Sequence, residues 1–403
     1  MIKELTIKNF RSIREATLEL GRITVLNGAN NSGKSSVLYA LQVLKNVVTN
    51  PNRTTDELFN LFFLSLGGFE EIIFHTKEGS IEIEISSDAG NIFGILKSRY
   101  KWKQGLLFGA RLDIQGIEPF KFNGYLRVSF PYNLNKMETI TINGFNGKEI
   151  VWNGIAVKTN IDEFKNVSPF DYHSLKEQIE LPVVDLSNSE IIPTQRGFTK
   201  PIFNQVPMTG TIYTEEEVAT HLAIDKKLQS KVAHYFEKIT GKRFSVSMGP
   251  GGGFFYLQVR EPDTPFTTEL VNQGMGTNQI LFMLAKILYD KNRLICIDEP
   301  EIHLHPTLIE QFVKVLVEIA HQEDKQFIFS THSEHWLMSL LAEVNDGNLK
   351  AEDLKVYYLT KEGQETKVEN QEVHPNGQIE GGLKNFLEAQ LRLSNRFFDA
   401  QTA

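Results

Sequence analysis

Val25-Leu-Asn-Gly-Ala-Asn-Asn-Ser-Gly-Lys-Ser-Ser-Val37 carries Gly28, Gly33, Lys34 and Ser35 in the order G-x-x-x-x-G-K-[ST], the pattern of a phosphate-binding loop. The glycines let the backbone curl so that successive N–H groups face a β-phosphate, and Lys34 sets a cation beside the β- and γ-phosphates. Gly28, Asn30, Asn31, Ser32, Gly33, Lys34, Ser35 and Ser36 are the candidate nucleotide contacts, and Ser35 is the candidate Mg²⁺ ligand. The flanks agree with this reading. Arg22 to Asn27 reads as a buried strand, and Val37, Leu38, Leu41, Leu44 and Val48 recur at helical spacing. Strand, loop and helix N-terminus together make an anion site, which predicts a bound nucleotide.

At 403 residues the chain exceeds what one core usually serves, so two or three structural units are expected. Its 41% hydrophobic and 23% charged content suits a soluble globular protein, and no apolar run reaches the roughly 18 residues of a membrane span. A transporter role would therefore need other chains. Met1-Ile-Lys-Glu-Leu5 alternates as a strand does and lacks a signal peptide's apolar block. The single cysteine, Cys296, lies in an apolar run, excludes an internal disulfide and is expected to pack in the core. These features predict a cytoplasmic protein without membrane partners. A net charge of −8 argues against a general nucleic-acid coat while leaving room for a local patch.

In chain order, Leu5 to Phe10 and Ile13 to Leu20 read as an antiparallel hairpin. Leu61-Phe-Phe-Leu-Ser-Leu-Gly-Gly-Phe69 is an apolar run expected to pack beside the nucleotide. Ile81 to Ile85 alternates strictly, and Lys97, Arg99, Lys101 and Lys103 recur at every second residue, predicting a strand with one basic face. With Tyr100 and Trp102 interleaved, that face reads as a nucleic-acid contact or as the cross-strand partner of Glu82 and Glu84; the acidic chain favours the second. Asn-Gly pairs at Asn123, Asn143, Asn146 and Asn153 predict β-meander turns. Thr214-Glu-Glu-Glu217 is a capping box for a helical segment broken near Ala223-Ile-Asp225 and stopped by Gly241. Arg196, in the turn-rich Ile192-Pro-Thr-Gln-Arg-Gly197, reads as a solvated loop arginine in preference to a phosphate ligand. Arg243 to Met248 and Phe254 to Arg260 are expected strands around Pro250-Gly-Gly-Gly253.

Gly274 and Gly276 precede an apolar helical run, so free N–H groups and a positive dipole end are offered to an anion. Arg293-Leu-Ile-Cys-Ile-Asp-Glu-Pro300 is an apolar strand ending in two carboxylates, with Asp298 on the metal side and Glu299 the candidate general base. Pro306 opens a further helix, and Lys325 to Phe329 reads as a strand delivering Ser330-Thr-His-Ser333 to the ligand edge of an α/β sheet. His332 is placed there to sense a γ-phosphate, the competing reading being a helix-capping or satisfied loop histidine. His303, His305, His332 and His335 fit no common zinc spacing.

This ordered set resembles the ABC-type ATPase heads of RecF, SMC and OLD-like proteins. Asn9-Phe-Arg-Ser12, Gly28 to Ser35, Gly274/Gly276, Ile297-Asp-Glu-Pro-Glu-Ile-His-Leu-His-Pro306 and Ser330-Thr-His-Ser333 carry the likeness, over about residues 1 to 75 and 265 to 345. The resemblance implies an α/β fold: an ABC-type P-loop ATPase head with an antiparallel β subdomain and an inserted β/helical region. It implies ATP and Mg²⁺ as ligands, catalytic roles for Lys34, Glu299 and His332, and Arg11 as a nucleotide contact. It also implies a homodimer or higher even oligomer, each nucleotide lying between one loop and the other copy's Asn272, Gly274 and Gly276. Asn272-Gln-Gly-Met-Gly-Thr-Asn-Gln279 departs from the transporter signature and looks like the form in OLD-like and antiphage-defence ATPases.

The sequence divides into 1–75 and 243–345 as the two parts of the head, 76–160 as a β-rich subdomain, 161–242 as a mainly helical insertion, and 346–403 as a strand and terminal helix. No acidic strand-end set like that of a Toprim nuclease follows His332, so an effector partner, a nuclease or toxin, is expected to do the chemistry downstream. The favoured class is a nucleotide-driven dimerisation switch in phage defence or genome maintenance. A RecF-like DNA-binding repair ATPase is second, and a transporter ATPase subunit third.

Overall fold

A computed structural model describes residues 1–50, 55–74, 79–98, 101–112, 120–130, 138–141, 149–152, 157–159, 169–208 and 212–379. The chain forms two compact units. The first takes Met1–Leu20, Asn31–Ile191 and Thr360–Val368; the second takes Gly21–Asn30, Ile192–Leu359 and the chain from Glu369 on. Among the described residues no helix is long and apolar enough to cross a membrane.

The first unit is built on a six-stranded antiparallel sheet in the order Ile13–Glu19, Ile2–Phe10, Ile81–Ser87, Gly90–Ser98, Lys101–Leu112, Phe120–Phe130. Strict alternation dictates its faces. Leu5 pairs with Ile85 and Ile7 with Ile83, all buried, while Lys8 opposes Glu82 on the other face. The inner face packs on helix Lys34–Thr49, and Gly94 allows the close approach: an added Cβ there would lie 3.2 Å from Leu44 and 3.3 Å from Val47.

The basic run does not form one strand. The chain turns back between Ser98 and Lys101, Trp102 is buried against Phe130, and Glu82 and Glu84 face Ile95 and Phe93 across the ladder. Lys8, bonded to Glu15 at 2.9 Å, is the cation opposite Glu82. Asn123-Gly124, expected to turn, lies inside Phe120–Phe130, because the long partner strand supplies a full ladder of hydrogen bonds that overrides local turn preference. A separate antiparallel meander joins Glu138–Thr141, Glu149–Trp152 and Val157–Thr159. The other three Asn-Gly pairs, together with Arg99 and Tyr100, lie outside the described residues. In the apolar run Leu61–Phe69, Leu61 and Phe69 are buried but Phe62 and Leu64 are exposed on a two-residue hairpin.

The second unit contains four neighbouring parallel strands: Leu294–Asp298, Gln326–Thr331, Ile23–Gly28 and Leu354–Glu362. The first three are buried along their whole length, as expected of strands covered on both faces. Cys296 sits in this core as a buried thiol. Helices Met275–Ile287, Pro306–Gln322 and Glu334–Asn345 contribute to one hydrophobic cluster, in which Trp336 packs edge-on to Phe312 and Phe329. The predicted break at Asp225 is real: Glu215–Ile224 ends there, and its carboxylate caps Lys226–Thr240 by accepting from Lys227 and Leu228 N–H. Thr214 and Glu217 form the expected capping box, and Gly241, at φ 70°, ends the second helix. Phe203–Asn204, Arg243–Met248, Phe254–Arg260 and Thr267–Glu269 make a small antiparallel sheet. The terminal helix expected over Ile379 to Phe398 lies outside the described residues beyond Ile379.

Candidate functional site

Parallel register brings the chemical residues of the second unit to one edge. Asp298 pairs with Ser330, Ser330 with Leu26, and Thr331 with Asn27, so Asp298, His332 and Gly28 all emerge where ligands bind an α/β sheet. Asp298 is buried and receives the Ser330 hydroxyl. Glu299 follows in a left-handed conformation, φ 48°, which costs a non-glycine residue about 1–2 kcal/mol. It is held by its own N–H to Ser330 O at 2.8 Å, and by Arg196, whose guanidinium donates to Asp298 O at 2.7 Å and Glu299 O at 2.6 Å.

That turn aims the Glu299 carboxylate at His332, with Oε1 3.3 Å from Nδ1. Glu301 faces the same nitrogen at 3.4 Å and also accepts from the Thr331 hydroxyl at 2.7 Å and His332 N–H at 3.2 Å. Burial pushes the Glu301 carboxyl above the ordinary carboxylate range, against these hydrogen bonds and the nearby imidazole. His332 is half exposed; helix capping falls to the next residue, Ser333, whose hydroxyl accepts from Trp336 N–H.

The rest of the phosphate loop belongs to the first unit. Gly33 has φ 105°, and an added Cβ would lie 2.3 Å from Thr366 Oγ1, so only glycine fits. Thr366 is buried beneath the loop and donates to Ser32 O at 2.9 Å, while its N–H reaches Ser12 O at 2.7 Å. Lys34 and Ser36 are buried in the first turn of the helix; Ser35 is partly exposed, as are Asn30 and Asn31 more fully. Arg11 is exposed at φ 55° and lies 5.5 Å from the centre of the Tyr39 ring.

The two signature glycines differ. Gly274 is the N-cap of Met275–Ile287 and has open space around it, whereas a Cβ on Gly276 would meet His303 O at 2.6 Å. The side chain of Asn272 donates to Glu269 at 2.7 Å. Asn278 is buried and exchanges two hydrogen bonds with the Phe198 backbone, at 2.7 and 2.8 Å, holding the Arg196 loop to this helix.

Three supporting residues escaped the sequence reading. Thr366 sits far along the chain in an unremarkable Glu365–Gln371 strand, so no local signal marks it. Glu301 stood in a quoted motif, two residues beyond Glu299, and its alternation with Glu299 was the available clue. Arg196 is a correction: it is a half-buried backbone ligand, and desolvation lowers its pKa to about 10 although Glu301, Asp298 and Glu299 support its charge. Among the nucleotide-loop residues, Asn27 Nδ2 and Ser32 Oγ are buried with no protein hydrogen-bond partner, as suits a loop that receives a polar ligand. Ser35 in the first unit carries a hydroxyl and Asp298 in the second a carboxylate, each a hard oxygen donor of the kind Mg²⁺ takes.

Glu301 also makes a stability prediction. Below the ordinary glutamate range it is protonated both folded and unfolded; as pH rises, the unfolded chain ionises first, so stability falls through the raised folded value. Glu301→Gln does not titrate. The wild type should therefore lose denaturant resistance relative to this variant as pH rises above the ordinary glutamate range, and urea midpoints that run parallel through that rise would refute the assignment.

A family model described as an AAA ATPase domain matches residues 1–190 and 156–337. The chain is 24% identical over 366 residues to the OLD nuclease of Thermus scotoductus, covering 86% of this chain and 60% of the relative. It is 23% identical over 370 residues to the Old nuclease of Escherichia phage P2, covering 83% and 57% respectively. The chain thus spans somewhat less than two thirds of the length of these curated relatives. Among solved structures, the SMC head domain from Thermotoga maritima aligns with TM-score 0.44 and 12% identity over 92% of this chain and 99% of that one. With the family match extending over both the phosphate loop and the carboxylate edge, this chain belongs to the AAA ATPase domain family and is an ATP-hydrolysing enzyme.

Proposed function

We propose that this ATPase is a nucleotide-driven switch in which two copies pair head to tail around ATP, and that it acts through an effector partner, a nuclease or toxin, in phage defence or genome maintenance. The observation that carries the switch is the N-terminus of Met275–Ile287: Gly274 has open space, Met275 is 58% exposed, and a positive dipole end stands ready for a phosphate. The similarity to OLD nucleases supports the defence setting.

In this reading Lys34 and the loop N–H groups bind the phosphates, and Arg11 contributes to the nucleotide pocket. Ser35 and Asp298 would hold Mg²⁺, which would supply charge neutralisation at the phosphates. Glu299 orients the attacking water and takes its proton. His332 Nδ1 lies 3.3 Å from Glu299 and 3.4 Å from Glu301, which leaves Nε2 for the γ-phosphate. Asn272, Gly274 and Gly276 of a second copy complete the site. Residues 1–75 and 243–345 supply this head, to which Arg196 and Thr366 are added from outside those ranges.

Direct DNA contact is the second reading, supported by residues 90–112 and 120–130, which hold seven Lys and Arg residues and no acid in a chain of net charge −8. If it holds, Lys101→Glu with Arg127→Glu should weaken binding to labelled DNA and flatten its salt dependence, with ATPase activity kept; unchanged affinity would remove these strands from any DNA contact.

Turnover should separate from binding. Glu299→Gln is expected to keep ATP affinity, lose at least about 100-fold in kcat and accumulate an ATP-bound dimer, whereas Lys34→Ala loses binding. Wild-type turnover in the Glu299 variant would take that residue out of the mechanism.

Sharing of the site is tested by mixing a Lys34→Ala chain with a Gly274→Asp chain, each inactive alone. Gly274 is the right position because a side chain fits there, while Gly276 would clash with backbone. Heterodimers carry one site with both motifs intact and should recover ATPase activity. Tagged heterodimers that form yet stay inactive would argue against head-to-tail pairing.

A further inference from the structure

We infer that Arg196 is the positioning residue for Glu299, fixing the direction of its carboxylate through the two peptide carbonyls at the end of strand Leu294–Asp298. The inference rests on the reading of Glu299 as general base and goes beyond it by assigning what holds that base in place.

A strand that ends in two consecutive acids has no intrinsic reason to turn the second one back toward a neighbouring strand. Here it does so through a left-handed residue, φ 48°, a conformation that glutamate adopts only when its surroundings impose it. Besides the 3.3 Å bond from Ile302 N–H to Glu299 O that closes the turn locally, two constraints surround it. One is the Glu299 N–H bond to Ser330 O at 2.8 Å, which any residue could make. The other is the Arg196 fork, with Nη1 reaching both Asp298 O at 2.7 Å and Pro193 O at 3.0 Å, and Nη2 reaching Glu299 O at 2.6 Å.

Because the two nitrogens of one rigid plane hold two successive carbonyls, the peptide between them cannot rotate, and the side chain that leaves it is aimed at His332. A lysine offers one nitrogen and cannot hold both. Arg196 Nε is buried without a hydrogen-bond partner, so the group is spent on these carbonyls and on no neighbouring carboxylate. Its charge remains useful there: Asp298, Glu299 and Glu301 crowd this edge, and the half-buried cation offsets their repulsion. Asn278 ties the segment beside it to Met275–Ile287 through Phe198, which links the signature helix to the base it would serve.

A purely structural arginine would act on stability and on every step alike, so the test is coupling. Arg196→Ala and Arg196→Lys should each lower kcat about 100-fold, the cost of a misplaced catalytic group, with the KM for ATP within about 3-fold of wild type. Methylguanidinium added to Arg196→Ala should restore part of the turnover. In a Glu299→Gln background, Arg196→Ala should remove no more than about a further 3-fold of residual phosphate release, and methylguanidinium should restore nothing. Losses that multiply in the double variant would overturn the proposal, as would a kcat within 3-fold of wild type in a folded Arg196→Ala protein. Full turnover in Glu299→Gln alone would instead remove the base assignment, and this proposal with it.

Discussion

The register between Leu294–Asp298, Gln326–Thr331 and Ile23–Gly28 is the constraint on which the chemistry of the second unit depends. Each strand is buried on both faces, so a slip by one residue would carry apolar side chains out of their pockets and shift every terminal residue along the edge. Hydrophobic burial, which has no direction of its own, is converted by that ladder into the placement of Asp298, Thr331 and Gly28 at one edge. The candidate catalytic residues here need no dedicated scaffold beyond the ends of core strands.

Placing several acids together at a buried edge carries an electrostatic cost that the same edge must offset. Asp298 takes a hydroxyl from Ser330, Glu301 takes one from Thr331, and Glu299 is turned to an imidazole. Ser330 and Thr331 are thus ladder residues and acid partners at once. Glu301 is the one for which the compensation falls short, since burial raises its proton affinity despite three hydrogen-bonding or charged neighbours. Such a group is the weak point of the edge when the pH rises, and its proximity to His332 ties that weakness to the residue expected to feel the phosphate.

Much of this was legible in the sequence because it is written locally. The phosphate loop, the Asp298-Glu299 strand end, the Thr214 capping box and the break at Asp225 all depend on residues a few positions apart, where spacing alone carries the signal. What stayed hidden depends on distant pairing. Thr366 meets Ser12 and Ser32 from more than three hundred residues away, and nothing near position 366 announces it. Arg196 reads as a surface arginine because its neighbours are turn formers, yet its partners are carbonyls about a hundred residues further on. The basic run from Lys97 to Lys103 fails for a related reason: alternation was legible, but the reversal between Ser98 and Lys101 divides it between two strands and buries Trp102.

Gly274 and Gly276 show how one short motif can hold two different physical demands. The sequence presents them as a matched pair that frees N–H groups for an anion. In the structure Gly276 is required by close packing against the His303 carbonyl, so its lack of a side chain serves the approach of the loop that follows Glu301. Gly274 is required by nothing in its own unit: its surroundings are open, and the following residue, Met275, is exposed. A glycine without a packing reason at the exposed N-terminus of a largely buried helix is the more informative of the two, because its freedom from steric demand within the chain leaves the surface beside it available to something outside the chain.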